Sequence, residues 1–255
     1  DLLFKNNVMQ NHSVSISTGT EKANLYASLS AYYDPGWSLD SKVQRYTANM
    51  NAQFQLSKKL SITLRTNGSY RDQMAPGTLN QSTDVVSGQV TRSFDINPFS
   101  YALNTSRTLD PSMTYTRNYA SFNIFDELAN NYIKVQTMDM KFQGEVNYKP
   151  IQGLEFNALA DYRVYKAFRD TYVLNHSNRA EAYRAGLDNP NIMYSNTYLY
   201  TDPDKPNSLP ISVMPTGGIF TGNRNDVKQL DFRFTGQYNH VWNDKHIFNI
   251  LVGFE

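Results

Sequence analysis

A regular alternation of apolar and polar residues over residues 138–164 constrains the fold more than any other feature of the sequence. From Met138 to Tyr148 every second residue is apolar or glycine, and every residue between them is polar. The alternation resumes at Leu154 after a short break and continues to Val164. Successive side chains of a β-strand point to opposite faces, so the pattern predicts two strands with unlike faces.

The alternation alone leaves open which face is the inside. In a soluble β-protein, such as a sugar-binding domain, the apolar face would pack inward. In an outer-membrane barrel the apolar face would contact lipid and the polar face would line a wet lumen. The composition, which is polar on average but contains 18 Tyr and 14 Phe, is compatible with both.

The same pattern predicts eight strands joined by connections that alternate between short and long. The strands are predicted at residues 12–18, 24–33, 44–56, 60–71, 138–148, 154–164, 227–242 and from 246 onward. The short connections are 19–23, 57–59, 149–153 and 243–245, and the long ones are 34–43, 72–133 and 166–226. In an up-and-down meander all long loops lie at one end, as in outer-membrane barrels. Loops of such length count against a compact soluble domain.

Strand length and side-chain placement favour the membrane barrel further. Several predicted strands exceed the ~5–6 residues typical of globular proteins and reach the ~9–11 that cross a bilayer. Mid-strand charges lie on the polar faces, and tyrosines gather near both strand ends, at Tyr33, Tyr46, Tyr70 and Tyr162 and at Tyr148 and Tyr238 with Trp242. We therefore expect an all-β, antiparallel, up-and-down transmembrane barrel segment whose inside is the polar face, with long extracellular loops.

Charge and cysteine content exclude several classes of function. The formal net charge is +1 and no basic run is present, so we expect no nucleic-acid partner. The chain has no cysteine, which excludes disulfides and thiolate metal sites. It begins at Asp1 without a leader and its last predicted strand is cut short. We expect residues 1–255 to be one incomplete barrel segment, about the first third of a larger barrel.

Four segments resemble the barrel of the SusC/RagA family of TonB-dependent outer-membrane transporters of Bacteroidetes. They are HSVSISTGTEKANLYASLSAYYDPGW from His12, QRYTANMNAQFQLSKKLSI from Gln44, GEVNYKPIQGLEF from Gly144 and HIFNILVGFE from His246. The first is similar to the family's early barrel hairpin and departs from it at Ser13 and Thr18. Each motif is short, but together they follow the family's order from end to end.

The resemblance implies a 22-stranded barrel with an N-terminal plug and a TonB-contacting segment that lie outside this chain. It implies active import of a glycan or peptide across the outer membrane, with TonB, a SusD-like surface lipoprotein and outer-membrane lipid as partners. Two alternatives stay open. One is a smaller plug-less outer-membrane barrel with a structural or binding role, and the other is a soluble sugar-binding β-protein.

The sequence indicates no catalytic residues, cofactor or metal site. HExxH and GxSxG motifs are missing, so we expect no enzyme. His240 and His246 bracket Asp244, but turn residues explain them better than a metal cluster; Asp202–Asn207 (DPDKPN) is a turn that leaves a calcium site open. Aromatic loop residues are the best candidates for ligand contact, although none is assigned: Tyr101, Tyr115, Tyr119, Phe122, Phe125, Tyr132, Tyr183, Tyr194, Tyr198 and Tyr200.

Overall fold

An eight-stranded antiparallel sheet dominates the computed structural model, which describes residues 2–83, 90–95, 101–102, 105–106, 108–243 and 246–255. The sheet has the order β1-β2-β3-β4-β9-β10-β11-β12, so each strand lies beside its neighbour in an up-and-down meander. Its strands are β1 (Gln10–Gly19), β2 (Ala23–Asp34), β3 (Lys42–Ser57), β4 (Leu60–Pro76), β9 (Asn131–Ile151), β10 (Leu154–Val173), β11 (Ile219–Trp242) and β12 (His246–Phe254). All eight predicted strands are confirmed, and the fold is all-β, consistent with a partial β-barrel.

Short elements occupy the two long connections. The first contains β5 (Thr78–Thr83), β6 (Val90–Asp95), β7 (Tyr115–Arg117), β8 (Ala120–Phe122) and helix α1 (Ile124–Asn130). The second contains helices α2 (Asn178–Ala182) and α3 (Pro190–Ser195). In the described ranges no helix is long and apolar enough to cross a membrane.

The strands extend beyond their predicted limits at the long-loop end. β9 begins at Asn131, β10 ends at Val173 and β11 begins at Ile219. The long connections therefore cover 77–130 and 174–218, not 72–133 and 166–226. The alternation is lost in these extensions because apolar and polar residues occur together on each face, as with Ile133 and Val135 on the polar face of β9. The backbone ladder between β9 and β10 nevertheless continues to Val173. Residues 84–89, 96–100, 103–104 and 107 of the first connection lie outside the described part of the chain.

The register places most of the apolar strand residues on one face, called here the apolar face. One row across it contains Ile16, Ala27, Met50, Thr66, Phe142, Tyr162 and Leu230. The opposite side is called here the polar face. A row across it contains Ser15, Ser28, Asn49, Asn67, Lys141, Arg163 and Gln229.

The band of apolar side chains runs obliquely across these rows. At the long-loop end it stops at Tyr33 in β2, in the row of Gln136, and at Leu230 in β11, in the row of Phe142. When the rows are numbered by their β9 residue, the end of the band shifts from row 136 in β2 to row 142 in β11, a difference of six residues. A band of constant height crosses the rows at an angle only if the strands are tilted, as they are in barrels.

The buried core lies among the loops and not against the sheet. It consists of Leu3, Tyr101, Phe122, Ile124 and Leu128, with Phe4, Leu39, Tyr115 and Phe125 packed around it. The apolar face of the sheet remains exposed; Leu230 and Phe232, for example, are 61% and 58% accessible. An exposed apolar face of this extent requires a covering surface.

Candidate functional site

Ion pairs cross the middle of the polar face diagonally. Lys141 of β9 lies directly opposite Arg163 of β10, so two like charges face each other across the strands. Each cation is neutralised by a carboxylate on the neighbouring strand, two residues from the residue directly opposite it. Arg163 donates to both oxygens of Asp139 at 2.9 and 2.7 Å, and Lys141 Nζ lies 2.7 Å from Asp161 Oδ2. Diagonal neighbours on one face of a sheet are within reach of long side chains.

Amides and further charges extend this ladder on both sides. Asn67 donates to Asn49 at 2.8 Å, and Asn49 donates to Ser28 at 3.3 Å. On β9, Glu145 pairs with Arg65 at 2.9 Å and accepts from Asn157 at 2.7 Å. The polar face is therefore a continuous surface of donors and acceptors from β2 to β10.

A concavity of about 460 Å³ lies on this face and has one carboxylate in excess. Its charged lining residues are Asp139, Lys141, Asp161, Arg163 and Asp231. Asp231 lies opposite Asp161, whose side chain is nearly buried beside Lys141. Within the described ranges no cation lies within 4 Å of Asp231. The concavity can therefore accept a cationic group at Asp231 and polar groups around it.

The two long connections are joined by a buried clasp built on Glu127 and Asn178. Glu127 is 2% exposed; its Oε2 accepts the backbone N–H of Asn178 at 2.6 Å, and its Oε1 accepts Asn131 Nδ2 at 2.9 Å. Asn178 Nδ2 donates to the carbonyls of Arg117, Ala120 and Ser121 in the β7–β8 hairpin. The clasp ties α1, the hairpin and α2 into one body, called here the loop cap.

Burial raises the pKa of the Glu127 carboxyl above its ordinary value, with a smaller contribution from the nearby negative charge of Glu181. The hydrogen bonds from Asn131 and Asn178 and the charge of Arg179 oppose the shift. A carboxylate in this position is costly when ionised, because its solvation is lost and only hydrogen bonds replace it.

Most of the loop aromatics singled out from the sequence serve packing and not ligand contact. Tyr101 and Phe122 are 3% and 1% exposed and belong to the core, with Tyr115 and Phe125 against it. Other rings pack on each other, in the pairs Tyr119–Tyr198, Tyr183–Tyr198 and Tyr132–Tyr172. Tyr194 and Tyr200 remain available, at 68% and 49% exposure.

An exposed apolar ridge runs beside Tyr200. The backbone of Tyr200 pairs with that of Ile211 through two hydrogen bonds of 2.9 Å. The extended segment around Ile211 alternates, so that Leu209, Ile211 and Val213 are exposed while Pro210 is buried. We call Tyr200, Leu209, Ile211 and Val213 the apolar ridge. Contiguous exposed apolar side chains mark a surface that contacts another molecule.

The polar motifs considered for metal binding lie in turns. Asp202 accepts the backbone N–H of Asp204 at 3.0 Å, which is the hydrogen bond of a turn. His240 stacks on Tyr238 beside the last short turn, and Asp244 lies outside the described residues. In the described part of the chain no three His, Cys, Asp or Glu side chains are grouped closely enough to hold a metal ion. The expectation of no metal site stays a prediction, and calcium binding by the turn at Asp202–Asn207 stays open.

The charged polar face follows from the alternation in the sequence, but the concavity and the clasp do not. The mid-strand charges were visible from the alternation, whereas Asp231 and Asp161 are brought together only by the β10–β11 register. Glu127 and Asn178 are 51 residues apart and follow no periodic pattern that would connect them.

Solved structures with the same fold include two transporter complexes. One is described as "Structure of the RagAB peptide transporter", with 16% identity and a TM-score of 0.59. The other is described as "Structure of the RagAB peptide importer in the 'closed-closed' state", with 15% identity and a TM-score of 0.55. Each match covers 98% of this chain and 24% of the matched transporter chain. No protein-family model matches this chain, and no curated protein matches it.

These matches are evidence for the fold. The chain spans 24% of the length of the matched transporter chains, so it corresponds to a part of their β-structure. The likeness and the β-rich fold together support a partial β-barrel.

Proposed function

We propose that this chain is part of the barrel wall of a TonB-dependent outer-membrane transporter of the SusC/RagA type, which imports a peptide nutrient. The observation that carries the proposal is the division of one tilted sheet into an apolar face and a charged polar face. In β9 the apolar residues extend from Met138 to Tyr148, about 33 Å along the strand, or about 25 Å of height at barrel tilt. Apolar bands of barrels have about this height.

The polar concavity favours a peptide over a glycan as the cargo. Peptides carry amines, guanidinium groups and carboxylates, and the ladder offers partners for each, with Asp231 available for a cation. Sugar sites rely on aromatic stacking, and no aromatic side chain is among the described residues lining the concavity. The structural neighbours are themselves described as a peptide transporter and a peptide importer. A glycan is the runner-up.

Partners are proposed at both ends of the barrel. The apolar ridge provides a docking surface for a SusD-like lipoprotein at the long-loop end. TonB would act through a plug on the short-turn side, in keeping with the SusC/RagA resemblance. The proposed role is non-enzymatic, because the ladder presents groups suited to binding: Asp139 and Asp161 are held in ion pairs, and Asp231 is available for a cation.

Cell-surface transport tests the proposal directly. Cells with and without the intact gene are supplied with an isotopically labelled peptide mixture or with oligosaccharides, with and without a protonophore. We expect gene-dependent, protonophore-sensitive uptake of peptides. Uptake of oligosaccharides alone would contradict the peptide assignment. Gene-dependent uptake that is insensitive to the protonophore would favour the plug-less barrel. A protein that stays in solution without detergent would favour the soluble alternative.

The role of the polar face is tested with two matched ion pairs. Replacing the wall pair, Asp139→Asn with Arg163→Gln, should lower peptide uptake severalfold because the concavity loses two of its charged groups. The control replaces an equivalent pair on the opposite face of the sheet, Asp170→Asn with Arg224→Gln. Equal uptake by the two double variants, at matched surface amounts, would show that the polar face does not line the transport path.

A further inference from the structure

We infer that the apolar face carries a binding site for a phosphorylated glycolipid of the outer leaflet; this rests on the proposed membrane orientation. A groove of about 580 Å³ lies on the apolar face at its long-loop end. Its floor is formed by Ala31, Ala48 and Gly68, and Tyr46, Tyr70 and Met140 stand around it. The groove exists because three small residues of adjacent strands lie between larger ones in two neighbouring rows.

The shape of the groove suits an acyl chain. Ala48 and Gly68 lie directly opposite each other in β3 and β4, and Ala31 follows in β2 one row away. An added Cβ at Gly68 would meet no atom closer than 3.9 Å, so the space above the floor is free. The wall tyrosines Tyr46 and Tyr70 are opposite each other and partly exposed. Their rings would flank the chain near the interfacial side of a bilayer, where tyrosine is enriched.

Two lysines stand above the groove on the same face. Lys42 and Lys134 lie in one row on either side of Met74, with strand axes about 10 Å apart. Both side chains are exposed, and in the described ranges neither ammonium group lies within 4 Å of a carboxylate. Lys134 Nζ lies 5.6 and 5.5 Å from the ring centroids of Tyr132 and Tyr172, which hold it at the face.

The height of the lysines matches a headgroup phosphate. Lys134 is four residues beyond Met138, where the apolar band of β9 ends, or about 13 Å along the tilted strand. The one carboxylate between the lysines and the groove is Asp72, in the row of Gln44 and Gln136. Asp170 lies opposite Lys134 on the same face but is paired with Arg224. With that ion pair neutral, the two lysines against Asp72 leave a positive balance for a phosphate.

The choice of occupant follows from orientation and charge together. The groove lies at the long-loop end of the apolar face, which the proposed function assigns to the outside of the cell. In the outer leaflet of an outer membrane, phosphorylated glycolipids replace phospholipids. A lipid with both acyl chains and phosphate groups satisfies the groove and the lysines at once, so it is the occupant to which the geometry points.

The test uses the intact full-length protein in detergent micelles. Lipid A carrying two phosphates is added as the probe, and native mass spectrometry measures the occupied fraction. The double variant Lys42→Gln, Lys134→Gln should lower the affinity about fivefold per lysine. Gly68→Leu should fill the groove and lower affinity severalfold without a backbone clash.

Matched controls separate site binding from general lipid contact. Gly144→Leu adds the same side chain to the same face outside the groove, where a Cβ would lie 3.8 Å from Leu64. Lys228→Gln removes a lysine from the same face on β11. Both should bind lipid A as the unchanged protein does. Equal binding by all variants, or equal occupancy with phosphatidylglycerol, would overturn the inference. Failure of the proposed function would look different, because the protein would then stay in solution without detergent.

Discussion

Glu127 shows how one buried carboxylate can make a loop structure sensitive to pH. Both of its oxygens accept hydrogen bonds, yet burial raises its pKa. The folded loop cap therefore holds a proton over a range of pH in which the unfolded carboxyl has already lost it. The stabilisation is complete below the ordinary pKa of 4.5 and declines as the pH rises through the raised value.

We predict that hydrogen-exchange protection of the loop cap decreases as the pH rises above 4.5 and that Glu127→Gln removes this dependence. Glutamine cannot ionise, so the pH dependence should disappear. Its NH2 group would lie against the N–H donors of Asn131 or Asn178, which should lower the overall protection at every pH. The measurement is the protection factor of the Asn178 and Leu174 amides, corrected for intrinsic exchange. Glu181→Gln, a nearby partner of smaller effect, is the control. A variant that keeps the full pH dependence would contradict the assignment to Glu127.

Asn178 carries the second half of the clasp. Its side chain donates to three carbonyl oxygens of the β7–β8 hairpin. We predict that Asn178→Ala weakens the loop cap by about 1–3 kcal/mol, because buried carbonyl groups lose their donor. Limited proteolysis of the 108–130 region should then be faster than in the control Asn191→Ala, whose side chain is exposed. Unchanged proteolysis would show that the hairpin is held mainly by the apolar core.

At the scale of the element, the short turns are as constrained as the strands they join. Gly153, between β9 and β10, has φ +83°, and a Cβ there would lie 2.0 Å from the carbonyl oxygen of Asn239 in β11. Asn239 in turn donates its N–H to the Gly153 carbonyl at 2.8 Å. The glycine therefore serves both the turn and the packing of the third strand against it.

We predict that Gly153→Ala destabilises the sheet by at least about 1–3 kcal/mol, the cost of a strained backbone, with the close contact adding to it. Gly144→Ala, in the middle of β9, is the matched control because its added Cβ would make an ordinary contact of 3.8 Å. The measurement is urea unfolding of the protein from lipid vesicles. Equal stability of both variants would mean that the turn rearranges at no cost.

At the scale of the whole molecule, the two faces of the sheet require different surroundings. The apolar band is exposed or half-buried apart from Ala52, crosses the rows obliquely and has a height of about 25 Å at barrel tilt. The polar face carries ion pairs that would be costly in lipid. The proposed membrane orientation accounts for this division, with a bilayer on one side and water on the other.

We predict that Leu64→Arg, in the middle of the apolar face, lowers the stability of the membrane-inserted protein by about 2–4 kcal/mol. Thr63→Arg is the matched control: it adds the same charge one residue away, on the polar face and opposite Glu145. Urea unfolding from vesicles compares the two. If both variants lose stability equally, the apolar face does not contact lipid.

The sequence by itself determined the strands, their faces and the order of short and long connections. This was possible because a strand exposes its alternation locally, without knowledge of its neighbours. Tertiary structure decided where β9, β10 and β11 end, since the backbone ladder continues where the apolar and polar residues no longer alternate. It also decided which loop aromatics are buried and which residues meet, as Asp161 and Asp231 do through register and Glu127 and Asn178 through loop packing. Such contacts depend on pairing across long separations, and no local pattern specifies them.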